Sequence, residues 1–557
     1  MSSESEARAL LQAGQTERAV AAYQQVLAGA PGWAAGHNDL GVALQTLGHT
    51  QDAGQAYRRA MDLDPDDPGP LFNLGNLMLV MDFVDEAAVL LNRLVKRWPD
   101  YDDAYLPLAQ ALMQLCAWSN LSDVVDRALA ALRQGLEGEE AFNVAPFSLN
   151  SLPCREDVLA AAVARRVSTD VARAAGPASF SHDWPRPERL RLGYISPDLR
   201  THSIGQALAE LLAAHDRERF EVFGYALTRA EAGDALAQLL AQRFEHMRDL
   251  SALDDRSAAE AINQDRIDVL IDLAGHTRGA RLGILALKPA PVQAHFLGFG
   301  DSLGADFLPY LFSDARYCPP ERQRHWPETL VMLPENSLPA PRPEIAPPPS
   351  RAEEGLPETA FVFANFGWHY KFDPGMFSAW MRVLKKTPGS LLWLLDGVDT
   401  AKANLIREAE LRGVAGERLV FATFRPQAEH LARQGLADLV LDTRYQSGGV
   451  STLEALWAGV PVLAAVGLAE LIADDLDAFQ RLAIDLAVDT GRLNELRARL
   501  AANRLSQPLF DSQRFARHFE AGIELMLDCE RRGTPDRRPR CLEVPALPAP
   551  TSAGEAP

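Results

Sequence analysis

Apolar positions in the first hundred residues recur at helical spacing, and the helices themselves recur. Pro31, Pro65 and Pro99 stand 34 residues apart, and the same step links Gly14 to Gly48 to Asp82, Ala19 to Ala53 to Ala87, and Tyr23 to Tyr57 to Leu91. Leu40-Gly41 returns as Leu74-Gly75. This pattern predicts stacked helix-turn-helix units. The small residues let paired helices approach, the tyrosines fill the groove between neighbours, and each proline stops a helix. A degenerate fourth unit is expected at AYLPLAQALMQLCAWSNL, with Leu108-Ala109 in the Leu-Gly place.

The period is that of tetratricopeptide repeats, placed at residues 1–118. Such a solenoid offers a concave surface for extended polypeptide. Homo-oligomerisation is the alternative use, and the repeats alone leave the two evenly matched. Residues 119–188 read as a helical linker region that ends in the Pro-rich stretch GPASFSHDWPRPER.

From Arg189 the pattern changes to short apolar runs between helical stretches. RLRLGYIS, FEVFGYAL, IDVLIDLAG and VQAHFLGF read as buried parallel strands of a first Rossmann-like domain, residues 189–338. PAPRPEIAPPPS holds six prolines in twelve residues and marks a linker at 339–357. FVFANFG, SLLWLLDG, RLVFAT, LVLDT and VPVLAAV then build a second such domain at 358–505. Residues 506–530 read as a helix packing back on the first domain, and 531–557 as a disordered tail. Two doubly wound domains enclose a cleft between the carboxyl ends of their sheets, where ligands bind.

Composition narrows the function. Of 557 residues, 47% are hydrophobic and 23% charged, values of an ordinary globular protein. The 55 Lys and Arg against 75 Asp and Glu give a net charge of −20, which argues against a nucleic-acid partner. Five cysteines, at 116, 154, 318, 529 and 541, form no C-x-x-C pair, so neither a disulfide framework nor a zinc module is expected. The start MSSESEARALLQAGQ lacks the form of a signal peptide, and no apolar run reaches the ~18–20 residues of a membrane span. The expected setting is the cytoplasm, with no membrane partner.

The repeats followed by RLRLGYISPDLRTHSIG, IDVLIDLAGHTRGARLGILALKPAPVQAHFLGF, FVFANFGWHYKFDP and SGGVSTLEALWAGVPVL closely resemble the protein O-GlcNAc transferase family, with SPINDLY-like relatives. The resemblance runs from about residue 10 to 530, and LKPAPVQ and EALWAGVP are its most specific phrases. It implies a solenoid on a GT-B pair. It also implies inverting, metal-independent transfer of GlcNAc from UDP-GlcNAc to Ser or Thr hydroxyls, with no cofactor beyond the UDP-sugar donor.

The residues admit that chemistry. Lys371 follows a strand and turn, where an ammonium can neutralise a leaving diphosphate; the alternative is a surface loop lysine, and position and resemblance together favour the donor role. Gly448, Val450, Ser451 and Thr452 lie in a glycine-rich turn entering a helix, which binds phosphate or else merely caps the helix. Glu454 matches an acidic residue that holds the ribose diol, the resemblance puts His430 by the base with Arg433 nearby, and Asn365 joins the nucleotide set. His202 and His276 follow neighbouring strands of the first domain and are the acid/base or acceptor-positioning candidates, although one such histidine alone is more often structural. Asp272 reads as a loop-orienting residue.

The chain departs from the family pattern at four places. Gln427 replaces a lysine, Asp301 enters the loop GFGDSLG, and Trp368 replaces a polar residue. The largest departure is VPVLAAVGLAELIADD, which shortens the chain by a loop and a helix after Leu463. Other readings are an O-fucosyl- or O-glucosyltransferase of the same fold, and a repeat scaffold with a decayed transferase part.

Overall fold

The computed structural model describes residues 3–138, 142, 144–178, 180–185, 187–463, 469–532 and 540–548. Four antiparallel helix pairs follow the repeat: α1 (Ser3–Gln12) with α2 (Thr16–Gly29), α3 (Ala34–Thr46) with α4 (Thr50–Leu63), α5 (Pro68–Val80) with α6 (Val84–Arg97), and α7 (Tyr105–Gln114) with α8 (Leu121–Glu137). The fourth pair therefore carries the repeats beyond residue 118, because α8 completes it. A Cβ on Gly41 would come within 2.5 Å of the Tyr57 ring, and one on Gly75 within 2.8 Å of Leu91. Glycine at these places sets how closely the paired helices pack. Gly14, Gly48, Asp82 and Cys116 share a left-handed backbone, with φ of 70°, 78°, 61° and 51°. The turn between paired helices is thus the same in all four units, and the last two adopt it without glycine at some cost in strain.

A further helix, α9 (Asp157–Ala175), leads to the first α/β domain. That domain contains β1 (Leu190–Ser196), α10 (Ser203–Ala214), β2 (Phe220–Ala226), α11 (Ala235–Arg243), β3 (His246–Asp249) and α12 (Asp255–Gln264). It continues with β4 (Val269–Asp272), α13 (Leu282–Ala286), β5 (Val292–His295), β6 (Tyr310–Asp314), α14 (Pro320–Gln323) and β7 (Thr329–Leu333). The second domain holds β8 (Val362–Asn365), α15 (Pro374–Lys386), β9 (Leu391–Leu395), α16 (Asp399–Leu411), β10 (Leu419–Ala422) and α17 (Gln427–Gln434). It closes with β11 (Leu439–Leu441), α18 (Val450–Trp457), β12 (Val462–Leu463), α19 (Leu476–Val488) and α20 (Thr490–Asn503). The long helix α21 (Ser512–Arg531) and the strand β13 (Cys541–Glu543) follow.

Both sheets are parallel, in the orders β3-β2-β1-β4-β5-β6-β7-β13 and β10-β9-β8-β11-β12. Strand order reverses between β1 and β4 and between β8 and β11. Those two reversals are the switch points where a crevice opens at the strand ends. Sequence patterning does not reveal β3, β6 or β7. β3 is a largely exposed edge strand without an apolar run.

The helix α21 packs on the first sheet through Phe515, Phe519 and Ile523, and its buried Glu520 accepts from His215 at 2.9 Å and from the Asp216 N–H at 2.8 Å. The tail corrects one expectation. Cys541, Leu542 and Glu543 pair with Leu330, Val331 and Met332, and the Leu547 N–H donates to His518 at 3.1 Å, so this part of 531–557 is ordered as an edge strand. The Pro-rich linker lies along the second domain, where the indole of Trp457 donates to the Pro343 carbonyl at 2.9 Å. The shortened connection after Leu463 falls on residues 464–468, outside the described residues.

The close approach at Gly41 gives a direct check. Gly41→Ala is expected to destabilise the repeats by about 1–3 kcal/mol in denaturant unfolding, because the Tyr57 ring must move. Gly29→Ala, whose added methyl meets nothing within 4 Å, is expected to be neutral or stabilising.

Candidate active site

The reversal between β8 and β11 places two loops side by side. One follows β8 and carries Asn365, Gly367 and Lys371; the other follows β11 and carries Asp442, Gly448, Ser451 and Thr452. Together these side chains line a cleft. Asp442 is the residue that sequence reading missed. It is 4% exposed, and its carboxylate accepts from the N–H groups of Thr443 at 2.7 Å and Gly448 at 2.8 Å and from the Thr452 hydroxyl at 3.1 Å. The signal was present in LVLDT: an acidic residue closing a strand just before a glycine-rich turn.

Lys371 reaches across the cleft, and its ammonium donates to the Ser447 carbonyl at 3.1 Å. Burial lowers its pKa and the nearby Asp442 charge opposes that shift. Burial likewise raises the Asp442 carboxyl, against the stabilising hydrogen bonds of Thr443, Gly448 and Thr452. Among the described residues no acceptor pairs with the N–H groups of Gly449 and Val450 at the start of α18. Gly449 has φ of 57°, so the turn aims its backbone in a way that glycine adopts without strain. The Ser451 hydroxyl donates back to Gly448 at 3.0 Å. Two free amide donors beside a half-buried ammonium form a cradle for an anion.

Asn365 lines the cleft and also ties its two loops together. Its amide donates to the Leu441 carbonyl at 2.6 Å and its oxygen accepts from Gly367 at 2.7 Å, which fixes the loop after β8 to β11. Glu454 accepts from Gln427 at 3.0 Å, and burial raises its pKa. His430 packs edge-on against Phe366 with ring centroids 5.2 Å apart. Burial, with Arg433 second, pushes its pKa down to about 4. Arg433 is 0% exposed and donates to His430 Nδ1 at 2.9 Å and to the Thr423 carbonyl at 2.6 Å. It therefore stands behind the histidine. An arginine can only donate, so Nδ1 accepts and the neutral ring carries its proton on Nε2.

The loops after β1 and β4 treat their histidines differently. His202 caps α10: its Nδ1 accepts from the Ile204 N–H at 3.3 Å and lies 3.6 Å from Asp198, and the side chain is exposed. His276 is 8% exposed, with Nε2 3.2 Å from both the Ser168 hydroxyl of α9 and the Leu303 carbonyl. Burial pushes it down to about 4. Asp272 accepts from His295 at 2.7 Å and from the Gly275 N–H at 2.7 Å, so it orients its loop. Asp301 pairs with Arg322 and lies 3.8 Å from Arg155, which answers its charge inside the first domain.

Two doubly wound domains, each with a crevice at its switch point, joined to a helical-repeat solenoid, make the GT-B class of transferase architecture with tetratricopeptide repeats. The chain belongs to glycosyl transferase family 41, whose model matches residues 115–338 and 342–519. It is 31% identical over 470 residues to the probable UDP-N-acetylglucosamine–peptide N-acetylglucosaminyltransferase SEC of Arabidopsis thaliana, covering 78% of this chain and 48% of that protein. It is 30% identical over 364 residues to the probable transferase SPINDLY of Petunia hybrida, covering 61% of this chain and 39% of that protein. The chain thus spans less than half the length of these plant relatives. A solved structure of a mutant Thermobaculum terrenum O-GlcNAc transferase superposes with a TM-score of 0.67 at 27% identity, covering 94% of this chain and 96% of that one.

The His430 arrangement predicts its titration. In histidine-labelled protein followed by NMR, its ring is expected to stay neutral, with the proton on Nε2, until the pH falls to about 4. A midpoint near 6.5 contradicts the burial and Arg433 contacts described above.

Proposed function

We propose that the chain transfers GlcNAc from UDP-GlcNAc to Ser and Thr hydroxyls of proteins, with inversion and without a metal ion. The observation that carries this reading is the anion cradle at the β8–β11 reversal: Lys371 on the Ser447 carbonyl, in one cleft with Gly448, Ser451 and Thr452, where α18 starts with the N–H groups of Gly449 and Val450, unpaired among the described residues. In the reaction the acceptor oxygen bonds to C1 of the sugar as the bond from C1 to the diphosphate oxygen breaks, and the hydroxyl proton passes to the departing diphosphate. Negative charge grows on the departing diphosphate, and Lys371 turns from the Ser447 carbonyl to meet it. A preorganised donor of this kind contributes roughly 3–4 kcal/mol. The N–H groups of Gly449 and Val450 and the hydroxyls of Ser451 and Thr452 share the phosphates, and Glu454 accepts from the ribose diol. His430 offers its Nε2–H towards the base, with Arg433 holding it.

On the first domain we assign His202 to the acceptor. Its Nδ1 accepts from Ile204, so the neutral ring presents Nε2–H and positions the hydroxyl oxygen. His276 fastens α9 to the loop after β5 and is structural in this reading. The repeats take the acceptor polypeptide. Asn73 of α5 donates to Asn38 of α3 at 2.8 Å, and linked amides on successive first helices suit the backbone of an extended chain.

Isothermal titration tests the donor site. UDP is expected to bind in the micromolar range and GDP more weakly, and Lys371→Ala should weaken UDP at least about tenfold. A folded protein that binds neither nucleotide would overturn the transferase reading and leave the repeat scaffold. The acceptor assignment has its own test. His202→Ala is expected to lower kcat about hundredfold with UDP affinity unchanged. His276→Ala, by contrast, should lower Tm, and a catalytic loss at unchanged Tm would reverse the assignment.

A further inference from the structure

Trp368 and Phe424, 55% and 64% exposed, are the most exposed large aromatic side chains among the described residues, and they lie together. Their ring centroids are 5.8 Å apart with planes inclined by 39°. They come from different loops, Trp368 after β8 and Phe424 after β10. Gly367 and Lys371, on either side of Trp368 in the chain, both line the cleft. Phe366 touches His430, so the pair continues the wall of the cleft and is no isolated surface patch. Two large aromatic faces left in water at the rim of a polar cleft mark a ligand contact.

The strand order says which part of a ligand reaches them. The anion cradle lies over β8 and β11, while the aromatic pair spans β9, with Trp368 from the loop after β8 and Phe424 from the loop after β10. At about 4.8 Å per strand the centre of the pair lies about 7 Å from the cradle, within reach of a ribose and base beyond a phosphate. Glu454 accepts from Gln427, which links α18, at the cradle, to α17, which follows the loop of Phe424. We propose that Trp368 and Phe424 form a stacking platform for the nucleobase of the donor. This inference rests on the reading of the cleft as a nucleoside-diphosphate site. A base between the two rings would need their centroids about 7 Å apart, so it lies on an outer face. Every base has such a face, so the platform adds affinity for UDP and CDP alike.

The test is titration of the full chain and of Trp368→Ala and Trp368→Phe with UDP, CDP and inorganic pyrophosphate. The exposed position of Trp368 lets the variants fold, which circular dichroism checks. Trp368→Ala is expected to weaken UDP and CDP about tenfold and leave pyrophosphate unchanged, with Trp368→Phe within about twofold of the parent. Unchanged UDP binding in Trp368→Ala overturns the inference. Equal weakening of pyrophosphate overturns it too, because Trp368 would then act by holding the Lys371 loop. If the parent protein binds none of the three, the donor-site reading itself fails, and the platform with it.

Discussion

Burying a carboxylate is costly unless hydrogen bonds and charge answer it, and Asp442 is buried with both. Two backbone N–H groups and the Thr452 hydroxyl converge on it, and the charge of Lys371 acts across the cleft. The demand for satisfaction folds the loop after β11 around that one carboxylate. Gly448 must donate inward, so Gly449 takes its left-handed conformation and α18 begins with the Gly449 and Val450 amides unclaimed among the described residues. Thr452 is locked one turn further on. The anion cradle is thus a by-product of how one buried charge is satisfied, and the same charge favours the ammonium of the lysine that completes it.

The opposite wall of the cleft is held from outside the domain. The loop carrying Lys371 is pinned by His369, whose Nε2 lies 2.9 Å from the Leu395 carbonyl, and whose own carbonyl is met by the Cys116 thiol at 3.9 Å. Cys116 is the left-handed turn residue of the fourth repeat. Asn404 of α16 donates to the Leu115 carbonyl at 2.8 Å, and Trp118 packs edge-on against Phe377 of α15 at 5.3 Å. One continuous core runs from the last repeat into the second sheet. The fourth helix pair is therefore a wall of the donor domain as much as the end of a solenoid, while α9 fastens the first domain through Ser168.

Much of this was legible in the chain. Period and proline spacing gave the repeats because every unit solves the same packing problem with the same small residues. Strands with a long apolar run between turn residues were readable, as in VLID and LLWLL, whereas β6 and β7, buried at every position, carry polar or charged residues in or beside their short runs and were not read. β3 escaped because an exposed edge strand needs no apolar run, and β13 because three residues between Arg- and Pro-rich stretches carry too little pattern. Lys371, Gly448, Ser451 and Thr452 came together as their loop positions implied. The sequence placed Arg433 and Asn365 in this neighbourhood but not their hydrogen bonds to His430 and Leu441, since only geometry shows which groups hold which. Asp442 could have been found by asking where the N–H groups of a glycine turn go.

The central claim is that a diphosphate occupies the reversal between β8 and β11. Its most direct test is an experimental structure of the protein with UDP. The account predicts phosphate oxygens within about 3 Å of the Gly449 and Val450 nitrogens and of Lys371 Nζ, with the Ser447 carbonyl released. A diphosphate seated elsewhere, with Lys371 still bound to Ser447, would contradict it.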